Sequence, residues 1–203
     1  MKLYLVRHGE SVNNLAGRMT GWMDVDLTTK GVEQAKEVGK FLQKIPFDKV
    51  ISSDLKRAKD TCEAALPDRE YSVEPLIREI NVGEIMGMSR EERLAKYGEE
   101  HFNDCSQSGY DHVGGESREE FFGRAKAFLS KMEQVDAERV VAFCHGGFVQ
   151  AVLKVVLGYP ISTDSILCGN CMIAVFEYIN GKWRLYGWNV GMQEQAPDKA
   201  GLL

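Results

Sequence analysis

Leu3-Tyr4-Leu5-Val6-Arg7-His8-Gly9, near the amino end, and Val140-Val141-Ala142-Phe143-Cys144-His145-Gly146-Gly147, far along the chain, share one pattern: a short apolar run stops at a histidine followed by glycine. Such a run, cut off abruptly by glycine, reads as a buried parallel strand entering a loop. Open α/β sheets bind ligands beyond the carboxyl ends of such strands, near the point where strand order reverses. If the two strands are parallel neighbours, His8 and His145 face each other across one cleft.

The pattern around these strands alternates strand and helix. Thr28 caps a helix whose apolar face is Val32, Ala35, Val38, Leu42 and Ile45, with Pro46 as its stop. Val50-Ile51 centres a short strand, Ser53 opens a second helix that ends before Pro67, and Tyr71-Ser72-Val73 reads as another strand. From Gly83 to Gly115 the chain is polar, glycine-punctuated and weakly periodic, and predicts one short helix over Glu91 to Tyr97. A long irregular segment in a compact domain is usually functional, often a lid. Ser117 and Glu120 have capping-box spacing ahead of a helix that presents Phe121, Phe122, Ala125, Phe128, Leu129, Met132 and Val135 on one face. Phe148 to Leu157 read as a buried helix. Met172 to Phe176 and Trp183 to Tyr186 read as strands joined by the hairpin turn Asn180-Gly181. The last dozen residues read as a tail. The class is α/β with one antiparallel strand near the end.

The 203 residues suit a single domain, 1–203, since a chain of this size buries about 70% of its unfolded surface. A net charge of −5 without a basic stripe argues against nucleic acid as the main partner. No apolar stretch approaches a membrane span, so no membrane partner is expected. The five cysteines (62, 105, 144, 168 and 171) are odd in number and follow no signal-like segment. A cytoplasmic protein with reduced thiols is the expectation. Cys168-Gly-Asn-Cys171 has redox or half-zinc spacing but no second pair, and reads as structural. A homodimer is compatible with the composition, which fixes no oligomeric state.

The chemistry starts with Arg7 beside His8. A fixed positive charge repels a divalent cation, so no metal is expected here. It suits a dianion, which a guanidinium fork binds through two oxygens. It also lowers the proton affinity of the neighbouring imidazole, keeping His8 neutral and nucleophilic. For the dipeptide alone, a surface pair without a role explains the sequence better.

The wider pattern changes that balance. Leu5-Val-Arg-His-Gly-Glu-Ser11 with Asn14 resembles the signature of the histidine phosphatase superfamily, the phosphoglycerate mutase-like proteins. The match continues through Thr20-Gly21-Trp22, Asp24, Leu27-Thr28, Gly31 and Gln34-Ala35. It resumes at Ser53-Asp-Leu-Lys-Arg57-Ala58 with Thr61, at Leu76-Ile-Arg-Glu79 with Gly83, at Gly115-Glu116-Ser117 and at His145-Gly146-Gly147. The resemblance implies a three-layer α/β/α sandwich on a six-stranded mixed sheet, with a lid-like insertion at about 83–115. It implies that His8 takes the phosphoryl group, that Arg7, Asn14, Arg57 and Gly146 bind it, and that His145 donates to it. Glu79 is then the proton donor, with Thr20 and Gly21 against the substrate and no cofactor required. Physically, two arginines and a histidine donor supply the positive charge that phosphoryl transfer needs, and a partly desolvated carboxylic acid can protonate a poor alkoxide leaving group.

Weaker candidates surround this set. Glu84 reads as a solvated loop charge. Glu10 and Asp24 could orient arginines or touch substrate, and His101 and His112 read as exposed loop histidines. Phe121, Phe122 and Phe128 read as core.

The same residues serve a phosphatase or a mutase. Residues 86–116 carry Arg90, Arg93 and Lys96 against Glu91, Glu92, Glu99, Glu100, Asp104, Asp111 and Glu116, three positive charges against seven negative for a net of −4. An acidic cover is a poor trap for a small polyanion, which favours hydrolysis of a small-molecule phosphate ester, on the phosphatase side of the family with α-ribazole and broad-specificity phosphatases. Thr20-Gly21-Trp22 speaks for the mutase alternative, and Gly83-Glu84-Ile85-Met86-Gly87 departs from the Trp-Glu-Gly ending common among the phosphatases. A binding protein without turnover is disfavoured because neither the nucleophile nor an arginine is replaced. A metallohydrolase built on His8, His145 and Glu79 is the remaining rival.

Overall fold

The structure, a computed structural model, describes residues 1–158 and 166–191, with only the backbone at positions 103, 106 and 107. The tail expected over the last dozen residues lies outside them. Six strands, β1 (Lys2–Arg7), β2 (Lys49–Ser52), β3 (Ser72–Val73), β4 (Arg139–Cys144), β5 (Ile173–Ile179) and β6 (Lys182–Trp188), form one sheet in the order β3-β2-β4-β1-β5-β6. β1 pairs parallel with β4, which pairs parallel with β2, and β2 pairs parallel with β3. β5 runs antiparallel to both β1 and β6. The Asn180-Gly181 turn has positive φ at both residues, 52° and 72°, the geometry that joins a tight hairpin.

Among the described residues, seven helices accompany the sheet: α1 (Val12–Leu15), α2 (Thr29–Leu42), α3 (Lys56–Ala65), α4 (Arg90–Tyr97), α5 (Glu100–Gln107), α6 (Arg118–Glu133) and α7 (Gly146–Leu157). Side chains alternate across each strand. Val6, Val141 and Phe143 pack with Ala35, Val38 and Leu42 of α2 and with Cys62 and Ala65 of α3. Leu5, Ala142 and Cys144 face the other way, onto Phe128 and Met132 of α6 and Phe148 and Val152 of α7. The result is the expected three-layer sandwich, with a fully buried core on both faces of the sheet.

Several boundaries differ from the sequence reading. Thr28 caps α2, accepting from Gly31 N–H at 3.0 Å, but the helix stops at Leu42, so Ile45 lies beyond it. α3 starts at Lys56 rather than Ser53, and Leu55 at its cap position makes no side-chain cap. The first turn is closed from elsewhere: Asp24 Oδ1 accepts the Lys56 N–H at 2.8 Å.

The 83–115 segment holds two helices, α4 and α5, and 3₁₀ turns at Gly83–Ile85 and Asp111–Val113, where one helix was expected. α5 has few apolar residues to betray it. The segment has its own small core of Val82, Ile85 and Val113, packed against Met19, Tyr97 and Tyr110. It docks on the loop after α1 through Met19 N to Met88 O (3.0 Å) and Gly87 N to Met19 O (2.7 Å), and through a two-pronged Arg18–Glu92 pair. Among the described residues no helix is long and apolar enough to cross a membrane.

Candidate active site

β1 and β4 run side by side with Arg7 level with Cys144, which sets His8 and His145 together just beyond their carboxyl ends. The ring centroids lie 5.2 Å apart at 60°, and the rings are 3% and 0% exposed. His8 Nδ1 lies 2.7 Å from Gly9 O. A carbonyl only accepts, so Nδ1 carries the hydrogen. Arg57 donates its Nε–H to His8 Nε2 at 3.1 Å. A guanidinium only donates, so Nε2 keeps its lone pair. Burial first, then the charges of Arg57 and Arg7, hold His8 well below the ordinary imidazole range. The ring is neutral, and its Nε2 lone pair, engaged by Arg57, lies among cations.

Arg57 is the second residue of α3, and its guanidinium is almost wholly buried. Burial brings it down to about 10 against the opposing pull of Glu79 and Asp24. Besides His8 it binds Met23 O at 3.0 Å and Gly21 O at 2.9 Å. A guanidinium has five N–H donors, so these three bonds leave two for a ligand. Gly21 therefore acts through its carbonyl, in a positive-φ turn against Val82.

Two buried polar atoms near His8 have no partner among the described residues: Arg7 Nε and His145 Nδ1. The other end of His145 lies 2.9 Å from Ser53 Oγ, and burial with Arg57 as the next cause holds this ring, too, well below its usual range. In the tautomer that has Ser53 donating to Nε2, Nδ1 carries its hydrogen and has no partner among the described residues. Orphaned buried groups are costly unless a ligand completes them. Asn14 Oδ1 accepts from Ser11 N (3.2 Å), Ser11 Oγ (3.0 Å) and Asn170 Nδ2 (3.3 Å). That fixes the amide, and no described residue takes its Nδ2.

Glu79 is half-buried. Its Oε1 accepts from Ile80 N at 3.0 Å, and its Oε2 accepts from Gly147 N at 3.1 Å, on the first turn of α7. A Cβ on Gly147 would collide with Glu79 Oε1, and one on Gly146 would stand 3.2 Å from Arg7 Nε. The Gly-Gly pair thus lets an acid and a cation crowd one helix N-terminus, where unpaired N–H groups also favour an anion. The backbone of Glu79 is strapped as well. Trp22 Nε1 donates to Glu79 O at 2.7 Å and Arg124 Nη2 to the same oxygen at 3.1 Å. Arg124 reaches Leu76 O and Arg78 O, and grips both oxygens of Glu116 at 2.7 and 2.8 Å.

The remaining candidates separate cleanly. Thr20 is half-buried, and its hydroxyl bonds no described residue. Glu10 orients no arginine: it holds Thr28 Oγ1 at 2.8 Å and Lys30 at 3.1 Å. Asp24 caps α3 and adds charge beside Arg57. Glu84 is exposed and pairs with Lys96 at 3.7 Å. His101 is not an exposed loop residue: it lies on α5, 2% exposed, stacked on Tyr97. The Cys168–Cys171 stretch floors the site. Cys168 O takes Arg7 Nη1, and Asn170 Nδ2 donates to His8 O at 3.1 Å. Sequence reasoning missed Asn170, because the two cysteines drew attention away from the residue between them. It also missed Arg124, one of several charges on an amphipathic helix with no local mark of its task.

Comparison with known proteins bears on this geometry. Residues 3–191 match the family described as "Histidine phosphatase superfamily (branch 1)". The 2,3-bisphosphoglycerate-dependent phosphoglycerate mutase 2 of Gloeobacter violaceus is 35% identical over 186 residues, 87% of this chain and 85% of that one. The uncharacterized phosphatase PhoE of Bacillus subtilis is 30% identical over 192 residues, 92% and 93% of the two chains. Among solved structures, a phosphoserine phosphatase of Entamoeba histolytica in complex with phosphoserine superposes with a TM-score of 0.82 at 27% identity, over 93% and 96% of the two chains.

Proposed function

The chain belongs to branch 1 of the histidine phosphatase superfamily, and from that premise we propose that it is a phosphomonoesterase that hydrolyses small phosphate esters through a phosphorylated His8. Relatives are named as phosphatases and as mutases, so what must be decided is the acceptor, water or a second hydroxyl. One observation carries the choice of water. All three cations of the 86–116 cover are engaged by neighbours in or beside it. Arg90 and Arg93 lie over the ring of Phe102, at 4.7 and 5.2 Å, and Lys96 pairs with Glu84. Positive charge in the cleft comes from Arg7 and Arg57, enough for one phosphoryl group. A mutase must also hold the carboxylate of its substrate and shield the intermediate from water.

In the proposed reaction the Nε2 lone pair of His8 attacks phosphorus and the ester P–O bond breaks. Glu79 gives its proton to the departing alkoxide. Arg7, Arg57, Asn14, His145 and the Gly146 N–H hold the three equatorial oxygens, where charge spreads in the transition state. Water then attacks the same phosphorus, losing a proton to Glu79, the P–N bond breaks, and neutral His8 returns with free phosphate. Thr20 and Gly21 border the ester group. No step needs a metal ion, and the two arginines would repel one. Five cysteines with no disulfide among them support a cytoplasmic setting.

The test is a panel of phosphorylated metabolites and an aryl phosphate, run with chelator present and beside an assay for 3- to 2-phosphoglycerate interconversion. Hydrolysis should dominate, an acid-labile, base-stable phosphoprotein should be trapped during turnover, and His8→Ala should lose about 10³-fold or more in kcat. Interconversion faster than hydrolysis, or wild-type turnover by His8→Ala, would overturn the reading.

A further inference from the structure

A second cluster of reactive side chains lies in the 83–115 segment, and the proposed reaction does not use it. His101 and Cys105 stand one turn apart on the same face of α5, and the 3₁₀ turn Asp111–Val113 brings His112 against them. His101 Nδ1 lies 2.9 Å from His112 Nε2, and Cys105 Sγ lies 3.7 and 3.5 Å from the two ring nitrogens of His101. One donor atom from each of the three falls within 4.8 Å of the others. We propose that these three side chains form a binding site for a borderline divalent transition-metal ion, Zn²⁺ in the first instance, that clips α5 to the 110–115 turn.

The donor set fits that class. Two imidazoles and a thiolate are nitrogen and sulfur ligands of the kind zinc takes in four-coordinate sites, and three protein ligands leave one position for water. Zn–N bonds of about 2.0 Å and Zn–S bonds of about 2.3 Å, set tetrahedrally, place ligand atoms about 3.3–3.6 Å apart. The separations from His101 lie on either side of that range and all three donors fall within 4.8 Å, so side-chain shifts of up to about an ångström would seat an ion. A carboxylate stands on the outer side of the ring: Asp111 Oδ1 lies 4.0 Å from His112 Nδ1, beyond hydrogen-bond reach but near enough to favour a cation at the site. His101 is buried while the His112 side chain is 27% exposed, which gives an ion a way in.

The charges around the site are mixed. Arg93 and Arg118 act on Cys105 in favour of its thiolate, against burial, which pushes the thiol up to about 11. Asp104 and Asp111 offset the added cation. Binding releases the Cys105 proton to solvent as the metal–sulfur bond forms, so affinity rises with pH. The clip would stiffen a segment with a small core of its own.

The experiment uses the full chain, stripped of metal and titrated with Co²⁺ and with Zn²⁺. About one ion per chain should bind, with the intense visible bands of tetrahedral cobalt and a thiolate-to-cobalt charge-transfer band. Zn²⁺ should displace cobalt and raise Tm. Cys105→Ser should abolish the charge-transfer band, and His112→Gln, at a partly exposed position, should weaken Zn²⁺ binding about tenfold or more. Cys168→Ser should leave the band in place. A wild-type titration without a charge-transfer band, an octahedral spectrum, or a band that survives Cys105→Ser would overturn the proposal. Because these readouts are independent of turnover, they stand apart from the test of the phosphatase reading.

Discussion

At the scale of single residues, the site rests on two rings kept neutral by burial among cations and on glycines that let an acid approach. The Gly147 position isolates the acid. It lies in a helix, where alanine is favoured over glycine by about 1 kcal/mol, and the obstacle to a Cβ there is the tip of the Glu79 side chain, which can swing away. Gly147→Ala should therefore fold with unchanged or higher Tm yet lose about 10²-fold in kcat for alkyl phosphates, with far less loss for aryl phosphates, whose leaving group needs no proton. Equal losses on both substrates would show that Glu79 does not deliver the proton.

His8 and His145 also set a pH dependence. Both are held well below their ordinary range in the fold, while the unfolded chain titrates them near pH 6.5. Below about 6.5 the unfolded state binds protons that the folded state refuses, so stability falls with falling pH and is fully present above it. The slope contributed should steepen below pH 6.5 toward the uptake of one proton per ring on unfolding. Urea midpoints between pH 7.5 and 5 should show it, and His8→Gln should halve it. A flat profile across that interval in the wild type would mean that the rings titrate normally.

At the scale of elements, legibility in the sequence follows the reach of the forces involved. β1 and β4 are readable because a fully buried strand needs an unbroken apolar run, and their parallel pairing follows once both end at a ligand-binding loop. α6 is readable because Ser117 caps it with its own hydroxyl, which Glu120 N–H meets at 3.2 Å. The start of α3 is not, because its cap comes from Asp24, more than 30 residues upstream. α5 is hidden for a similar reason: His101 is buried by neighbours on other turns rather than by a periodic apolar face. The distant cap makes a direct prediction. Asp24→Ala should cost about 1 kcal/mol, seen as a Tm lower by about 2–4 °C. It should also raise KM for phosphate esters, because Arg57 sits in the uncapped turn. Asp24→Asn should restore most of the stability. A loss in kcat alone would mean that Asp24 acts on the chemistry rather than on the helix.

At the scale of the molecule, the sheet and the 83–115 segment are held by very different amounts of buried surface. The sheet has continuous apolar cores on both faces, whereas the segment encloses three buried apolar residues and leans on the loop after α1. Regions with few buried contacts open at lower free energy than the global fold. Amides of α4 and α5 should accordingly exchange with solvent well before those of β1 and β4. The Arg18–Glu92 pair is 41% and 47% exposed, so it contributes at most about 1 kcal/mol, whereas the Met19–Met88 and Gly87–Met19 backbone bonds survive a side-chain change. Arg18→Ala should then speed exchange over residues 87–97 by up to about fivefold, leaving β1, β4 and Tm unmoved. Such a variant should still hydrolyse an aryl phosphate, since Arg7 stands on β1, Arg57 on α3 and both histidines at the strand ends, all outside the segment. If α4 proved as protected as β4, or if loosening it stopped turnover, the segment would be part of the rigid core, and access to His8 would have to be controlled elsewhere.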